Sequence, residues 1–277
     1  MLSRRPLEDR FHGLATDVWH GSTLQGYLDT SKMADVYMGD AKDLKPVILV
    51  AGGDGGIGSA IVEELTSHGY RLSLGSLDVK MLVDKFGPET EDKLYASFDA
   101  FDRSSAERWV AGTVERFGQI DGLVNSIGGG RRVSILDDDD DGLDELYEIY
   151  VKTPLRLTRL CLPYLEKCGR GRVVNIASLG GKRIRNVVVG YGVSKFAQVG
   201  LTHAIRTYGW DKGIRATAIC PGWVRTAKSM KSPTLKLQPE EMIDPATIAQ
   251  LVRTAIELPN NAAMAEMLVN CEFEDLF

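Results

Sequence analysis

The sequence lacks a strong excess of charge of either sign, and it lacks long apolar runs. Its 33 Lys and Arg residues against 38 Asp and Glu residues give a net charge of -5. This balance argues against nucleic acid as the main partner, because nucleic-acid-binding proteins usually carry a basic excess or a basic stripe. No apolar stretch approaches the ~20 residues that cross a bilayer. A length of 277 residues with 44% hydrophobic residues predicts a globular protein with its own core.

Cysteine is also scarce. The four cysteines, at positions 161, 168, 220 and 271, form no CxxC pair and no Cys/His spacing suited to zinc. We therefore assign no metal ligands and favour a reducing compartment. The first residues, MLSRRPLEDRFHG, contain two arginines but no apolar segment of a signal peptide, and an acid already follows at Glu8. A cytoplasmic location is expected.

From Pro46 onward, patterns of buried strands alternate with patterns of helices. Strands are predicted at 46–50, 70–76, 93–100, 122–128, 172–178, 214–220 and 265–270, and helices at 58–69, 104–118, 143–167, 191–210 and 245–258. This alternation predicts a mostly parallel sheet covered on both faces. We therefore expect an α/β fold, a single Rossmann-type doubly wound domain of about seven strands over residues 46–277. Residues 1–45 show no clear period and are treated as an N-terminal extension.

The segment AGGDGGIG, residues 51–58, joins the first strand to the first helix. A glycine-rich turn before a helix offers free backbone N–H groups and the positive end of the helix dipole to a pyrophosphate. The spacing differs from the general GxGxxG fingerprint. Gly52, Gly56 and Gly58 instead resemble the TGxxxGIG turn of the classical short-chain dehydrogenase/reductase family, with Ala51 where Thr is usual.

The segment YGVSK places Tyr191 and Lys195 four residues apart, on one face of a predicted helix. Alone, such a pair usually belongs to a solvated helix face. Ser178 lies thirteen residues earlier, at the end of the fifth predicted strand, and this order of Ser, Tyr and Lys is similar to the catalytic set of the same family. The resemblance extends over residues 46–277. It implies that Tyr191 is the acid/base, that Ser178 binds the substrate oxygen, and that Lys195 favours the phenolate and holds the nicotinamide ribose.

The resemblance also implies the cofactor and the reaction. We expect NAD or NADP, and hydride transfer between the nicotinamide and an alcohol or ketone carbon. Asp99 would contact the adenine, Asn125 would support the sheet in a turn that reads NSIG rather than NNAG, and CPGWVRT would lie near the nicotinamide. The expected cofactor-binding residues are Gly52, Asp54, Gly56, Ile57, Gly58, Ser76, Asp99, Asn125, Gly128, Tyr191, Lys195, Pro221, Gly222, Val224 and Thr226.

Nucleotide preference is largely set at the end of the second strand, where an acid can bind the ribose 2'-OH and exclude a phosphate. That position holds Ser76, with Asp78 as a fallback. In the family, a Lys or Arg at either of two positions favours NADP. Here those positions hold Gly55 and Leu77, so neither carries a basic residue. Asp54, inside the turn, is expected to cap the following helix and to suit its dipole. These residues favour NAD slightly over NADP.

One position departs from the family pattern. Eight residues before the TR of LTRLCLP, where the family has a catalytic Asn, this chain has Tyr150. In relatives that Asn positions a water chain that leads from the Lys to solvent. The change predicts either an altered relay or impaired catalysis, and the retained Ser, Tyr and Lys favour an active enzyme. The alternative is a catalytically weak protein that binds the nucleotide as a sensor or scaffold.

An acidic segment, DDDDDGLDELYE, formally satisfies the EF-hand loop pattern. No helix leads into it, however, and its eighth position, normally apolar, is Asp144. We therefore prefer an acidic connection whose last acids favour a helix amino terminus. A calcium-regulated binding protein is the more distant alternative.

Basic residues concentrate in the loops after the fourth, fifth and sixth strands. They are either ordinary exposed bases or a site for an anionic substrate. The residues concerned are Arg131, Arg132, Lys182, Arg183, Arg185, Arg225 and Lys228. The stretch before Pro245 also resembles the mobile substrate lid of the family. A small alcohol or ketone substrate and a homodimer or homotetramer, assembled through helices 143–167 and 191–210, are expected, without nucleic acid or membrane as a partner.

Overall fold

The computed structural model describes residues 45–273, so the predicted N-terminal extension lies outside the described residues except for its last position. Seven parallel strands form one sheet in the order β3-β2-β1-β4-β5-β6-β7. This arrangement confirms the predicted α/β fold. The strands are β1 (Val47–Ala51), β2 (Arg71–Ser76), β3 (Lys93–Ser97), β4 (Gly122–Asn125), β5 (Arg172–Ile176), β6 (Arg215–Pro221) and β7 (Glu266–Val269).

The helices differ from the prediction in two places. An additional short helix follows β2, and the predicted helix 143–167 is divided by a π-helical turn at Glu148–Lys152. At the start of α3, Asp102 is the N-cap residue and accepts a hydrogen bond from the backbone N–H of Ser104. The helices are α1 (Gly56–Ser67), α2 (Val79–Phe86), α3 (Arg103–Phe117), α4 (Asp141–Tyr147), α5 (Thr153–Lys167), α6 (Val189–Gly209) and α7 (Pro245–Glu257).

Both faces of the sheet are covered, and the first strand shows why the sequence requires this. Ile48 and Val50 belong to a core cluster with α1, α2 and α7, whereas Val47 and Leu49 belong to a second cluster with α3, α5 and α6. All four side chains are fully buried. Because successive side chains of a strand point to opposite faces, a continuous apolar run needs a helical layer on each side.

The order of the strands places the candidate site. The sheet order reverses direction at β1, which lies between β2 and β4. In open parallel sheets, ligands bind outside the carboxyl ends of the strands at such a reversal. The glycine turn follows β1, the NSIG turn follows β4, Ser178 follows β5, and the CPGWVRT turn follows β6. The carboxyl ends of these strands therefore bring all four to one edge of the sheet. Within the described range, no helix is both long and apolar enough to cross a membrane.

In the turn after β1, two positions, 52 and 58, can hold only glycine. Gly52 has a φ of 78°, in the left-handed region, and its N–H donates to the carbonyl of Gly75 on β2 at 2.8 Å. A Cβ at Gly58 would lie 1.9 Å from the carbonyl oxygen of Gly52. The first turn of α1 therefore packs directly on the backbone of the loop.

Substituting Gly58→Ala should lower the free energy of unfolding by about 1–3 kcal/mol, because the added methyl group meets backbone that no rotamer change can move. Chemical denaturation of the full chain measures this change. The matched control is Gly112→Ala in the middle of α3, where an added Cβ meets nothing within 4 Å. There the lower backbone entropy of Ala should raise stability by about 0.5–1 kcal/mol. Equal effects of the two variants would contradict this account of the turn.

Candidate functional site

The first turn of α1 provides open hydrogen-bond donors. Gly55 is the N-cap residue, and no side chain caps the helix. The prediction that Asp54 caps α1 was therefore wrong: the loop places Gly55, not Asp54, at the cap. The first N–H groups of a helix lack partners within the helix. Together with Gly52 and Gly58, which leave no space for side chains, they form a cradle that fits a pyrophosphate.

The loop after β6 lies against this cradle. A Cβ at Gly56 would lie 2.7 Å from Cγ2 of Thr226, so the two loops are in close contact. β6 ends at Pro221, and the N–H of Gly222 donates to the carbonyl of Val269 at 2.8 Å. Further along, Val224 is buried and forms an isolated parallel bridge. A nucleotide in the cradle would therefore face this loop.

The end of β2, where an acid could bind the ribose 2'-OH, presents no free carboxylate at Ser76 or Asp78. The Ser76 hydroxyl donates to the carbonyl of Asp78 at 3.1 Å. The Asp78 carboxylate caps α2, accepting from Lys80 N–H at 2.9 Å, so the proposed fallback acid already has a structural role. Lys85, on the unpredicted α2, reaches the turn: its Nζ donates to the carbonyl of Asp54 and, at 3.0 Å, to Ser59 Oγ.

Three further predicted contacts lie at the ends of β3 and β4. Asp99 follows β3, and its carboxylate accepts from the N–H of Phe101 at 2.9 Å. Asn125 ends β4 and donates to Asn175 Oδ1 on β5 at 2.8 Å, which agrees with a supporting role in the sheet. Gly128 lies in the loop beyond β4, with open space where a Cβ would stand.

Ser178 and Tyr191 meet beyond the end of β5. β5 ends at Ile176, so Ser178 lies outside the strand and caps a short 3-10 turn, accepting from Gly180 N–H at 3.0 Å. Tyr191 lies in the first turn of α6. Burial around its hydroxyl raises the Tyr191 pKa, although the residue is 40% exposed, and a hydrogen bond with Ser178 opposes this effect. The two predicted residues are thus in direct contact.

Lys195 lies one turn further along α6 and is only 3% exposed. Its Nζ donates to the carbonyl of Ile176 at 2.7 Å and to Oε1 of Gln198 at 2.8 Å. It lies 5.7 Å from the ring centroid of Tyr191. Burial lowers the pKa of Lys195 to about 7, because desolvation disfavours the charged ammonium. The charged form of Lys195 is therefore less favourable here than in water.

Tyr150 lies in the π-helical turn and points into the same site. Its ring centroid is 4.0 Å from the Nζ of Lys195 and 5.6 Å from the ring centroid of Tyr191, with the two rings at 88°. Its hydroxyl donates to the carbonyl of Gly129 at 2.9 Å and accepts from the N–H of Gly129 at 3.0 Å. Burial raises the pKa of Tyr150, so this residue is a neutral phenol. A bulky side chain bonded to backbone thus occupies the position where the family resemblance predicts an Asn.

The acidic segment is largely helical. α4 begins at Asp141, and the final acid of the EF-hand pattern, Glu148, pairs with Arg156 at 2.7 Å and with Lys152 at 3.3 Å. Asp141 and Asp144 lie in the first turn of α4, where acids suit the helix dipole. Among residues 45–273, no group of three or more His, Cys, Asp or Glu side chains is arranged to hold a metal ion.

Three of the seven residues of the basic cluster pair with acids of the same chain. Arg131 pairs with Glu145 at 3.0 Å, Lys182 with Glu266 at 2.8 Å, and Arg225 with Asp244. Lys228 differs from them. It is exposed, protein around its side chain lowers its pKa, and its charge contributes to the lowered pKa of Lys195. Lys228 therefore lies within electrostatic range of Lys195.

Sequence reasoning missed three residues of the site: Lys85, Gln198 and Asn175. Lys85 reaches the turn from a helix that was not predicted, 31 residues away from Asp54. Gln198 lies three residues after Lys195, a spacing that places both on one helix face. Asn175 is fully buried in β5 and donates to Thr202 on α6 at 2.7 Å. A polar residue inside an apolar strand was the available signal for Asn175, because such a group needs a partner.

Comparisons with known proteins find relatives that match most of the chain. A family model described as short chain dehydrogenase matches residues 46–236. An agropine synthesis reductase from Rhizobium rhizogenes is 47% identical over 232 residues, which are 83% of this chain and 54% of that protein. The chain thus spans about half the length of this relative. A 7alpha-hydroxysteroid dehydrogenase from Bacteroides fragilis is 29% identical over 193 residues, 67% of this chain and 74% of that protein.

A solved structure of an actinorhodin polyketide ketoreductase variant with NADPH is similar in fold and sequence. It has a TM-score of 0.73 and 27% identity, and the match covers 82% of this chain and 96% of that one.

Proposed function

The chain belongs to the short-chain dehydrogenase family, and on this premise we propose that it is an NAD(P)-dependent oxidoreductase acting on an alcohol or ketone carbon. The observation that carries this proposal is the contact of Ser178 with the Tyr191 phenol, beside the buried ammonium of Lys195. The glycine cradle of α1 lies at the same edge of the sheet and would hold the pyrophosphate. When bound, the nicotinamide supplies or accepts the hydride.

The residues of the chain then move the proton and orient the substrate. Ser178, already bonded to the phenol, binds the substrate oxygen and holds it within reach of Tyr191. Tyr191 transfers the proton to or from that oxygen. The nearby ammonium of Lys195 favours the phenolate electrostatically. Because burial raises the Tyr191 pKa, this residue is protonated at neutral pH and is ready to give a proton to a ketone oxygen.

Replacing Tyr191→Phe removes the proton donor and should lower kcat at least about 100-fold, since positioned acid/base groups contribute this much or more. Binding of NADH and NADPH, followed by fluorescence titration, should change less than about twofold. Turnover is measured with a panel of ketones and alcohols. The matched control is Tyr208→Phe, an exposed tyrosine near the end of the same helix whose hydroxyl donates to Glu166 at 2.8 Å.

The same experiment distinguishes an active enzyme from the alternative, a protein that only binds the nucleotide. If the unchanged chain binds the nucleotide but turns over none of the ketones and alcohols faster than the Tyr191→Phe variant, the catalytic proposal fails. A sensor or scaffold that binds the nucleotide would then be the better description.

We further propose that the substrate carries a carboxylate or another anionic group. The support is Lys228, which has no acidic partner within residues 45–273 and lies near Lys195. By contrast, Arg131, Lys182 and Arg225 are each neutralised by an acid of the same chain. A substrate anion placed between the loop after β6 and Ser178 would be attracted by an ammonium that no acid of residues 45–273 balances.

Replacing Lys228→Met should raise the KM for oxo acids about tenfold, the effect of losing about 1.4 kcal/mol of attraction. The KM for neutral ketones of similar shape should not change, and added salt should weaken only the oxo acids. Lys231→Met is the control, because Lys231 is an exposed lysine three residues further along. A salt-insensitive KM for both substrate classes, or equal effects of the two variants, would contradict an anionic substrate.

The choice between NAD and NADP depends on two opposite charges at the glycine turn. Asp54 disfavours a 2'-phosphate and supports the slight preference for NAD expected from the sequence. Lys85, whose Nζ is bound to the Asp54 carbonyl, acts in the opposite direction. Gly55 lies between the cradle and solvent with a φ of -68°, which any residue can adopt.

Replacing Gly55→Arg should raise the affinity for NADPH relative to NADH about tenfold, because a guanidinium can bind the 2'-phosphate in two places. Gly55→Met is the control for side-chain size. Lys85→Met should shift the ratio towards NADH. Dissociation constants for NADH and NADPH are measured by fluorescence titration for each variant. An unchanged ratio of the two constants in all three variants would show that this turn does not discriminate between a 2'-hydroxyl and a 2'-phosphate.

A homo-oligomer belongs to the same proposal. One exposed stripe of α6 has large residues at its ends and small ones between them, a shape that allows two helices to approach closely. The stripe is formed by Phe196, Gly200, Ala204 and Tyr208. A cytoplasmic location is also proposed, since all four cysteines are free thiols.

A further inference from the structure

The ammonium of Lys195 has an incomplete set of hydrogen-bond acceptors. An ammonium has three donors, and two of them are used by the carbonyl of Ile176 and the side chain of Gln198. Both acceptors are neutral. No carboxylate contacts this group among the residues described, although it is almost fully buried. A buried charge without a counter-ion is unfavourable unless another group stabilises it.

The face of the Tyr150 ring is a third neighbour of the ammonium. Its ring centroid lies 4.0 Å from Nζ, well inside the distance at which an aromatic ring attracts a cation. The phenol of Tyr191 is further away, at 5.7 Å. The ring of Tyr150 is therefore the nearer of the two aromatic rings that face the ammonium.

The ring is also held in place from three sides. The hydroxyl of Tyr150 makes two hydrogen bonds with the backbone of Gly129. Its ring packs edge-on against Tyr191, and the residue is only 3% exposed. The π-helical turn Glu148–Lys152 gives the chain a local geometry that a regular helix does not have. The ring thus has little freedom to leave the ammonium.

We propose that Tyr150 is a positioning residue, whose ring face acts as the third partner of the Lys195 ammonium and holds it beside Tyr191. For its effect on turnover this role rests on the proposed acid/base function, but the placement of the ammonium does not. The hydroxyl of Tyr150 contributes indirectly, by fixing the ring to the loop after β4. The ring itself carries the interaction.

The titration of Lys195 gives a direct measurement that needs neither substrate nor turnover. The groups that face it are Tyr150 from the π-helical turn, Tyr191 from its own helix, and Cys220 and Lys228 from β6 and the following loop. Burial lowers the lysine pKa, while an aromatic face favours the charged form and therefore raises it. Removing the ring should lower the pKa further.

The experiment uses the full chain labelled with ¹³C- and ¹⁵N-lysine, titrated by NMR from about pH 5 to about pH 10. The signal of Lys195 is identified by its loss in Lys195→Met. Tyr150→Phe should leave the lysine pKa nearly unchanged, because the ring remains. Tyr150→Leu should lower it by roughly half to one pH unit. Equal pKa values in the unchanged chain and Tyr150→Leu, or equal shifts in the two variants, would overturn the proposal.

A second series covers the case in which Tyr150→Leu does not fold. Phenylalanines with one, two and three ring fluorines are introduced at residue 150; fluorine withdraws electron density from the ring face with little change in size. A stepwise fall of the lysine pKa with each fluorine would support a cation–π contact. A pKa that is independent of fluorination would overturn it. Neither result depends on whether the chain turns over a ketone, so failure here and failure of the proposed function are distinguishable.

Discussion

The buried ammonium of Lys195 is the constraint to which the surrounding elements of the site conform. Lys195 is only 3% exposed, so groups of the protein must stabilise its charge in place of water. β5 provides the carbonyl of Ile176, α6 provides Gln198, and the π-helical turn provides the ring of Tyr150. Each partner comes from a different element, so the lysine keeps its position only when the sheet, the helix and the turn are all packed together.

The rest of the site follows from the geometry of a parallel sheet. All strands point in one direction, so the loops that leave their carboxyl ends meet at one edge. The glycine turn after β1 and the loop after β6 are far apart in sequence, yet the methyl group of Thr226 lies against Gly56. A buried chain of polar side chains, from Asn125 to Asn175 and on to Thr202, ties β4 and β5 to the helix that carries Tyr191 and Lys195.

Most of the fold was predictable because its signals are local. Continuous apolar runs such as VILV, separated by helical periods, indicate buried strands under two helical layers, and all seven predicted strands occur. The helix Val79–Phe86 was missed because it is only eight residues long and follows a strand almost directly. The division of the helix at 143–167 was missed because a π-helical turn depends on how Tyr150 packs against Gly129, which no local pattern records.

The sequence by itself determined the parallel sheet, the glycine turn and the order of Ser178, Tyr191 and Lys195, because strand, turn and helix periods are properties of neighbouring residues. Only the tertiary structure decided which charges remain available. It bound the Asp78 carboxylate to a helix start, brought Lys85 to the turn, and paired Arg131, Lys182 and Arg225 with acids. Pairing, burial and desolvation depend on distances between segments remote in sequence, and these distances exist only in the folded chain.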